Sequence, residues 1–312
     1  MKRRYFLSLT TLAAGALTLN PSIGTAQTGA IRSEPVEPVW VPLTKDVKTT
    51  RVGFGTGMRG GQRRSDLVRG GYPKAIEMLR YAYDQGIRLF DCADMYGTHD
   101  LVAEALRDKP RDSYVLVSKI WLHSGALPEV ERPDPGITVR RFLREFRTDY
   151  VDVVMLHCFS NNRWAQEFSA QMESLQKLKE EGLVRAVGIS SHAMAATELA
   201  ATVDWCDVVL LRLNSEGIVM DTDYVPDDAA KRVEEGVRMA KLVHDAGKGT
   251  IAMKVLGQGE GGKAINSELR KKSTTFVTGL DCVDAMVIGF TELEHIPEFL
   301  ANFNAAESPT RG

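Results

Sequence analysis

From Thr50 onward, short apolar runs rich in β-branched residues alternate with longer stretches in which apolar positions return every three or four residues. The runs read as buried strands and the stretches as amphipathic helices. Strands are predicted over 51–55, 87–90, 114–118, 151–157, 184–189, 207–211, 250–254 and 285–289. Helices are predicted over 74–85, 101–107, 138–147, 165–181, 195–203, 229–246, 264–278 and 293–303. Within 165–181, Phe168, Leu175 and Leu178 keep helical spacing and Gly182 supplies a stop. Val233, Val237, Ala240 and Val243 repeat the pattern ahead of Gly247. Strand–helix alternation is the mark of a parallel sheet. Its right-handed crossovers, repeated eight times, close into a (β/α)₈ barrel, the TIM barrel, here one domain over 49–305. A doubly wound open sheet is the alternative.

Composition narrows the class without changing the fold. The 312 residues are 44% hydrophobic and 26% charged, which is globular usage. Lys plus Arg number 39 against 41 Asp plus Glu, so no basic field recruits nucleic acid, and small molecules are the expected partners. Cys92, Cys158, Cys206 and Cys282 form no C-x-x-C pair and read as buried free thiols. No metal site is expected. Asp221-Thr-Asp223 hints at calcium, yet Arg232 stands where an EF-hand needs its bidentate Glu.

The amino terminus carries its own pattern. Residues 1–30 begin with Lys2, Arg3 and Arg4, continue through an apolar stretch from Tyr5 to Leu19, and end in small residues, the layout of a signal peptide. Arg3-Arg4-Tyr5-Phe6-Leu7 resembles the twin-arginine signal, which hands a folded protein to the twin-arginine export machinery. An ordinary secretory leader is the alternative. Gly24 and Ala26 suit cleavage after Ala26, and the expected product is periplasmic or otherwise exported. The apolar stretch is shorter than the ~20 residues that cross a bilayer, so no stable membrane span is expected. Residues 31–48 read as an extended lead-in and 306–312 as a tail.

In a parallel barrel, chemistry gathers at the carboxyl ends of the strands. There stand Asp91 with Tyr96 in FDCADMYG, Lys119 in VSKIW, His157 in VDVVMLH, and Ser190 and Ser191 in VGISSH. Singly, each has a bland explanation: a cap, a rim aromatic, a solvated charge, a core histidine. Together, an acid, a phenol, an amine and an imidazole at one rim are the parts for proton transfer to or from a substrate oxygen.

With these motifs in this order, the chain resembles the aldo-keto reductases from Val52 to about Phe303. The resemblance implies catalytic Asp91, Tyr96, Lys119 and His157, with Trp121 lining the substrate pocket. It also implies hydride transfer between NADP(H) or NAD(H) and a small carbonyl or alcohol. Ser190, Ser191, Met253, Lys254, Leu256, Gly257, Gly259 and Gly289 would hold the nucleotide. A non-catalytic nucleotide-binding or interaction module of the same family is the alternative. Physically, a phenol's pKa of ~10 makes it a weak acid, and an adjacent ammonium favours phenolate. Lys119 is expected to supply that ammonium, Asp91 to hold it, and His157 to orient the carbonyl oxygen.

Two glycine patterns bear on the nucleotide. Gly55, Gly57 and Gly60 match G-x-G-x-x-G, but a polar loop follows where the dinucleotide motif needs a helix. Gly257, Gly259 and Gly262 match it again after the seventh strand, where the family's phosphates lie. Several positions depart from the family pattern: Ser191 for Asn, Leu210 for Gln, Met253 for a stacking aromatic, and His295 for the Arg at the 2′-phosphate. The choice between NADP and NAD therefore stays open.

Overall fold

The structure, a computed structural model, describes residues 35–221, 228–257 and 266–307. The predicted leader at 1–30, Gly259 and residues 308–312 of the predicted tail lie outside them. A short antiparallel hairpin, β1 (Trp40–Pro42) and β2 (Lys48–Thr50), comes first. Next come β3 (Val52–Gly55), β4 (Leu89–Asp91), β5 (Val115–Ile120), β6 (Val151–Phe159), β7 (Val184–Ser191), β8 (Val208–Arg212), β9 (Gly249–Met253) and β10 (Ala285–Ile288). These eight close into a parallel barrel in which β10 pairs with β3. The helices are α1 (Asp66–Arg69), α2 (Tyr72–Asp84), α3 (His99–Ala105), α4 (Pro135–Phe146), α5 (Trp164–Glu167), α6 (Ser169–Glu180), α7 (Met194–Thr202), α8 (Ala229–Asp245), α9 (Ser267–Thr278) and α10 (His295–Glu307).

Alternation along the strands sorts side chains into two cores. Leu89, Val117, Val153, Met155, Ala186, Val208 and Ile251 fill the barrel, while Phe90, Leu116, Val154, Val187 and Val209 point outward under the helices. Gly188 allows β7 and β8 to approach, since a Cβ there would stand 1.9 Å from the Val208 carbonyl oxygen. Among the described residues, no helix is long and apolar enough to cross a membrane.

Three differences from the sequence reading have physical causes. Within the lead-in predicted over 31–48, the described residues form the β1–β2 hairpin from Trp40 onward, whose turn places Leu43 (4% exposed) and Val47 (2%) in the amino-terminal mouth of the barrel. The Val47 amide donates to Thr44 Oγ1, and the Leu43 amide to the Val47 carbonyl, which holds the turn. The helix over 165–181 breaks at Phe168, whose ring stacks on Phe159 at 4.9 Å and leaves the helical path. Finally, β5, β6 and β7 each run about two residues beyond their predicted ends, so Lys119, Ser190 and Ser191 belong to the strands at whose ends they were expected.

The hairpin turn is a removable seal. Leu43→Ala is expected to cost about 2–4 kcal/mol in urea unfolding, because the barrel mouth cannot collapse onto the lost volume. A cost below ~1 kcal/mol would show that the mouth does not need it.

Candidate active site

Strand ends and one turn assemble the site. Asp91 is the last residue of β4, Lys119 lies in β5 and His157 in β6, so parallel pairing brings all three to the carboxyl end of the barrel. Beyond Asp91 the chain makes a single 3₁₀ turn, Asp94–Tyr96, closed by the Tyr96 amide on the Ala93 carbonyl. Gly97 ends it with φ 69°, and a Cβ there would stand 2.0 Å from the Arg63 carbonyl oxygen, so only glycine fits.

Lys119 is fully buried, with Nζ 2.5 Å from Asp91 Oδ1 and 2.8 Å from the Cys92 carbonyl oxygen. Burial pushes the Asp91 carboxyl above its ordinary range while the ammonium pulls it back. The same ammonium is 5.1 Å from the centre of the Tyr96 ring. The phenol nevertheless moves up, well above its usual value, first through burial and then through the Asp91 carboxylate. This reverses the expected stabilisation of phenolate: Asp91 meets the Lys119 charge at close range, and the resting phenol keeps its proton.

His157 is 3% exposed and held well below the usual imidazole range, by burial first and by Lys119 next. It is therefore neutral. Its Nδ1 is buried without a hydrogen-bond partner, so a proton there would be stranded and belongs on Nε2. The ring meets Tyr96 edge-on at 5.8 Å and Trp121 at 5.5 Å.

A cavity of about 260 Å³ opens over these groups, lined by Asp91, Tyr96 and His157 on one side and by Met253, Lys254, Leu256 and Gly289 on the other. Leu210 lines it too. Gly257 lies in the adjoining turn, its amide on the Lys254 carbonyl. Trp121 stands behind His157 with a buried, unpartnered Nε1. Ser190 and Ser191 are both fully buried but differ in use. The Ser191 hydroxyl donates to the Ala193 carbonyl at 2.8 Å and accepts from Thr197 Oγ1 at 2.7 Å, which seats the start of α7. The Ser190 hydroxyl has no partner. His295 opens α10, with Nδ1 3.2 Å from Thr291 Oγ1.

Sequence reasoning passed over Cys158 and His192, which also line the cavity. Consecutive strand residues should face opposite ways, but the pairing of β6 with β7 shifts register between Leu156 and Phe159, and Cys158 takes φ 64°. No glycine marks this irregularity in the sequence. Arg212 Nη2 donates to His192 Nδ1 at 2.7 Å, which puts the imidazole proton on Nε2, 3.4 Å from Cys158 Sγ. Burial and Arg212 depress His192 to about 3, and burial lifts the thiol to about 11.

Residues 51–304 match the Aldo/keto reductase family, and the chain belongs to it. It is 28% identical over 160 residues to aldo-keto reductase YhdN of Bacillus subtilis, covering 47% of this chain and 45% of that one. Methylglyoxal reductase DkgB of Escherichia coli O157:H7 is 30% identical over 129 residues, covering 40% and 45%. The chain thus spans less than half the length of these curated relatives. The holo form of an aldo-keto reductase from Bacillus halodurans superimposes with a TM-score of 0.64 at 20% identity, covering 87% of this chain and 92% of that one. An aldo/keto reductase from Klebsiella pneumoniae in complex with NADP and acetate gives 0.59 at 20% identity, covering 86% and 90%. At such identities the structural likeness establishes the barrel.

The two depressed histidines set a pH dependence. Folded, His157 and His192 stay neutral where the unfolded chain binds protons, so their contribution is complete above ~6.5 and shrinks as pH falls toward their folded values. Each contributes a loss of about 1.4 kcal/mol per pH unit in that window. The urea midpoint is expected to fall between pH 7.5 and 5.5, and less so in a His157→Gln, His192→Asn double variant. A midpoint that holds or rises on acidification contradicts neutral burial.

Proposed function

We propose that this chain is an oxidoreductase that moves hydride between a nicotinamide nucleotide and a small carbonyl or alcohol. The observation that carries the reading is one cavity bordered by a protonated Tyr96 phenol and a neutral His157, with the Asp91–Lys119 pair beneath. Membership of the Aldo/keto reductase family supports it, as do a relative that reduces methylglyoxal and a structural neighbour that holds NADP.

The residues present fit a nicotinamide nucleotide. Ser190, at the end of β7, has a buried hydroxyl without a protein partner, and Gly55, Gly57 and Gly289 line the cavity. Met253, Lys254 and Leu256 would flank the nucleotide, which supplies or takes the hydride when bound. In the reducing direction, His157 Nε2–H donates to the carbonyl oxygen and orients it. Tyr96 donates its proton as charge develops on that oxygen, and the Lys119 ammonium then opposes the charge left on the phenolate. The resting phenol carries its proton, and transfer depends on the Lys119 ammonium favouring the phenolate that forms. The residues between Gly289 and His295 include Glu292 and Glu294 and no Lys or Arg, so NADH and NADPH are both to be tested.

Arg3-Arg4 supports export through the twin-arginine route. An oxidoreductase that leaves the cytoplasm with its nucleotide must hold it tightly, because free nucleotide is scarce outside. Replacing Arg3 and Arg4 by Lys is expected to strand the protein in the cytoplasm, and unaffected export would sink this part of the reading.

Tyr96→Phe is expected to lower carbonyl turnover by about two to four orders of magnitude while nucleotide affinity, read by fluorescence quenching, stays within about twofold. Turnover equal to that of the unaltered protein would remove Tyr96 as the acid.

A further inference from the structure

The approach to the Tyr96 turn is fixed by two buried carboxylates. At the end of β4, Asp91 holds Lys119. At the first residue of the turn, Asp94, with a side chain 4% exposed, takes two guanidinium groups. Arg63 reaches Oδ1 through Nε at 3.2 Å and Nη2 at 3.1 Å, and Arg141 reaches Oδ2 through Nη2 at 2.7 Å. Nothing in the proton-transfer chemistry needs this second anchor, yet it is the more elaborate of the two.

Arg63 belongs to the loop over 56–65 that lies across the phenol. Gly57 and Gly60 press on the Tyr96 ring so closely that a Cβ would stand 2.3 Å and 2.5 Å from it. The Ser65 amide donates to the Tyr96 carbonyl at 3.1 Å, and the Gln62 amide to the Ala126 carbonyl at 2.8 Å. The other arm of Arg63 meets Glu129 at 2.5 Å, in the same segment as Ala126. One guanidinium therefore joins three pieces of chain: the loop over the ring, the turn that carries Tyr96, and the segment after β5. The joined state is strained, because Arg59, Gln62, Arg63 and Ala126 all hold positive φ without being glycine. Such a conformation persists only where surrounding contacts impose it, and the charge-assisted fork of Arg63 is one that reaches both neighbouring segments.

We propose that Arg63 is a positioning residue for Tyr96: clasped between Asp94 and Glu129, it holds the glycine face of the 56–65 loop on the phenol ring and fixes where the hydroxyl stands. This rests on the reading of Tyr96 as the proton donor. Displacement of a reacting group by about 1 Å can cost ~10²-fold in rate, so the clasp acts on turnover more than on binding. Lys in place of Arg63 would keep one ionic contact but lose the fork that spans Asp94 and Glu129.

Arg63→Gln is the informative variant, because Arg141 remains on Asp94 and no buried carboxylate is left alone. Two readouts are taken on the full chain: amide hydrogen exchange at Gln62 and Ser65, and steady-state reduction of a small aldehyde with saturating nucleotide. Exchange at both amides is expected to quicken at least tenfold, with kcat falling ten- to a hundredfold and nucleotide affinity within about twofold. Arg63→Lys should recover part of both losses. Unchanged exchange, or faster exchange with unchanged kcat, overturns the clasp as a positioning device. If the unaltered protein reduces no carbonyl, the proposed reaction falls by itself, and the exchange rates still decide whether Arg63 fastens the loop to the Tyr96 turn.

Discussion

An ammonium with no exposed surface has to be answered by a negative charge at hand, and Lys119 imposes that condition on everything around it. Asp91 answers it from the neighbouring strand, which ties β4 to β5 at their carboxyl ends more specifically than apolar packing could. The chain must then turn sharply after Asp91, and the turn delivers Tyr96 back over the pair. Removing either partner would leave a buried charge alone, a loss of about 3–5 kcal/mol, so the electrostatics of the site and the stability of the barrel rim cannot be separated. Burial, with Asp91 next, pushes the phenol up, and burial, with Lys119 next, pushes His157 down.

The barrel itself was legible because its signals are local. Buried parallel strands read as short apolar runs, and each is followed by a helix whose period survives in the sequence. The site residues were legible because they stand at the ends of consecutive strands. What stayed hidden depends on partners far along the chain. The β1–β2 hairpin has only short strands, and Leu43 and Val47 become core residues only once a barrel exists to receive them. The loop over 56–65 could not be drawn because Arg59, Gln62 and Arg63 adopt a backbone region that sequence reserves for glycine. The upward shift of the phenol was hidden for a similar reason: spacing shows that Lys119 and Tyr96 meet, but not how completely the fold buries the ring.

Ser190 and Ser191 show how adjacent, chemically identical residues diverge. Strand alternation gives them opposite faces, and neighbours do the rest. Thr197 engages one hydroxyl in seating α7, while the other is left facing no protein partner. A pair that looks redundant in sequence thus divides into a serine that seats α7 and one whose hydroxyl has no protein partner.

The hairpin that closes the amino-terminal mouth also imposes an order of assembly. Its residues are made before any barrel strand, yet the surface they plug includes Ile251 and the backbone beside Gly249, where a Cβ would stand 2.4 Å from the Leu43 carbonyl oxygen. Until β9 is made, that surface is incomplete, so the full burial of Leu43 and Val47 waits on a strand about two hundred residues further along the chain.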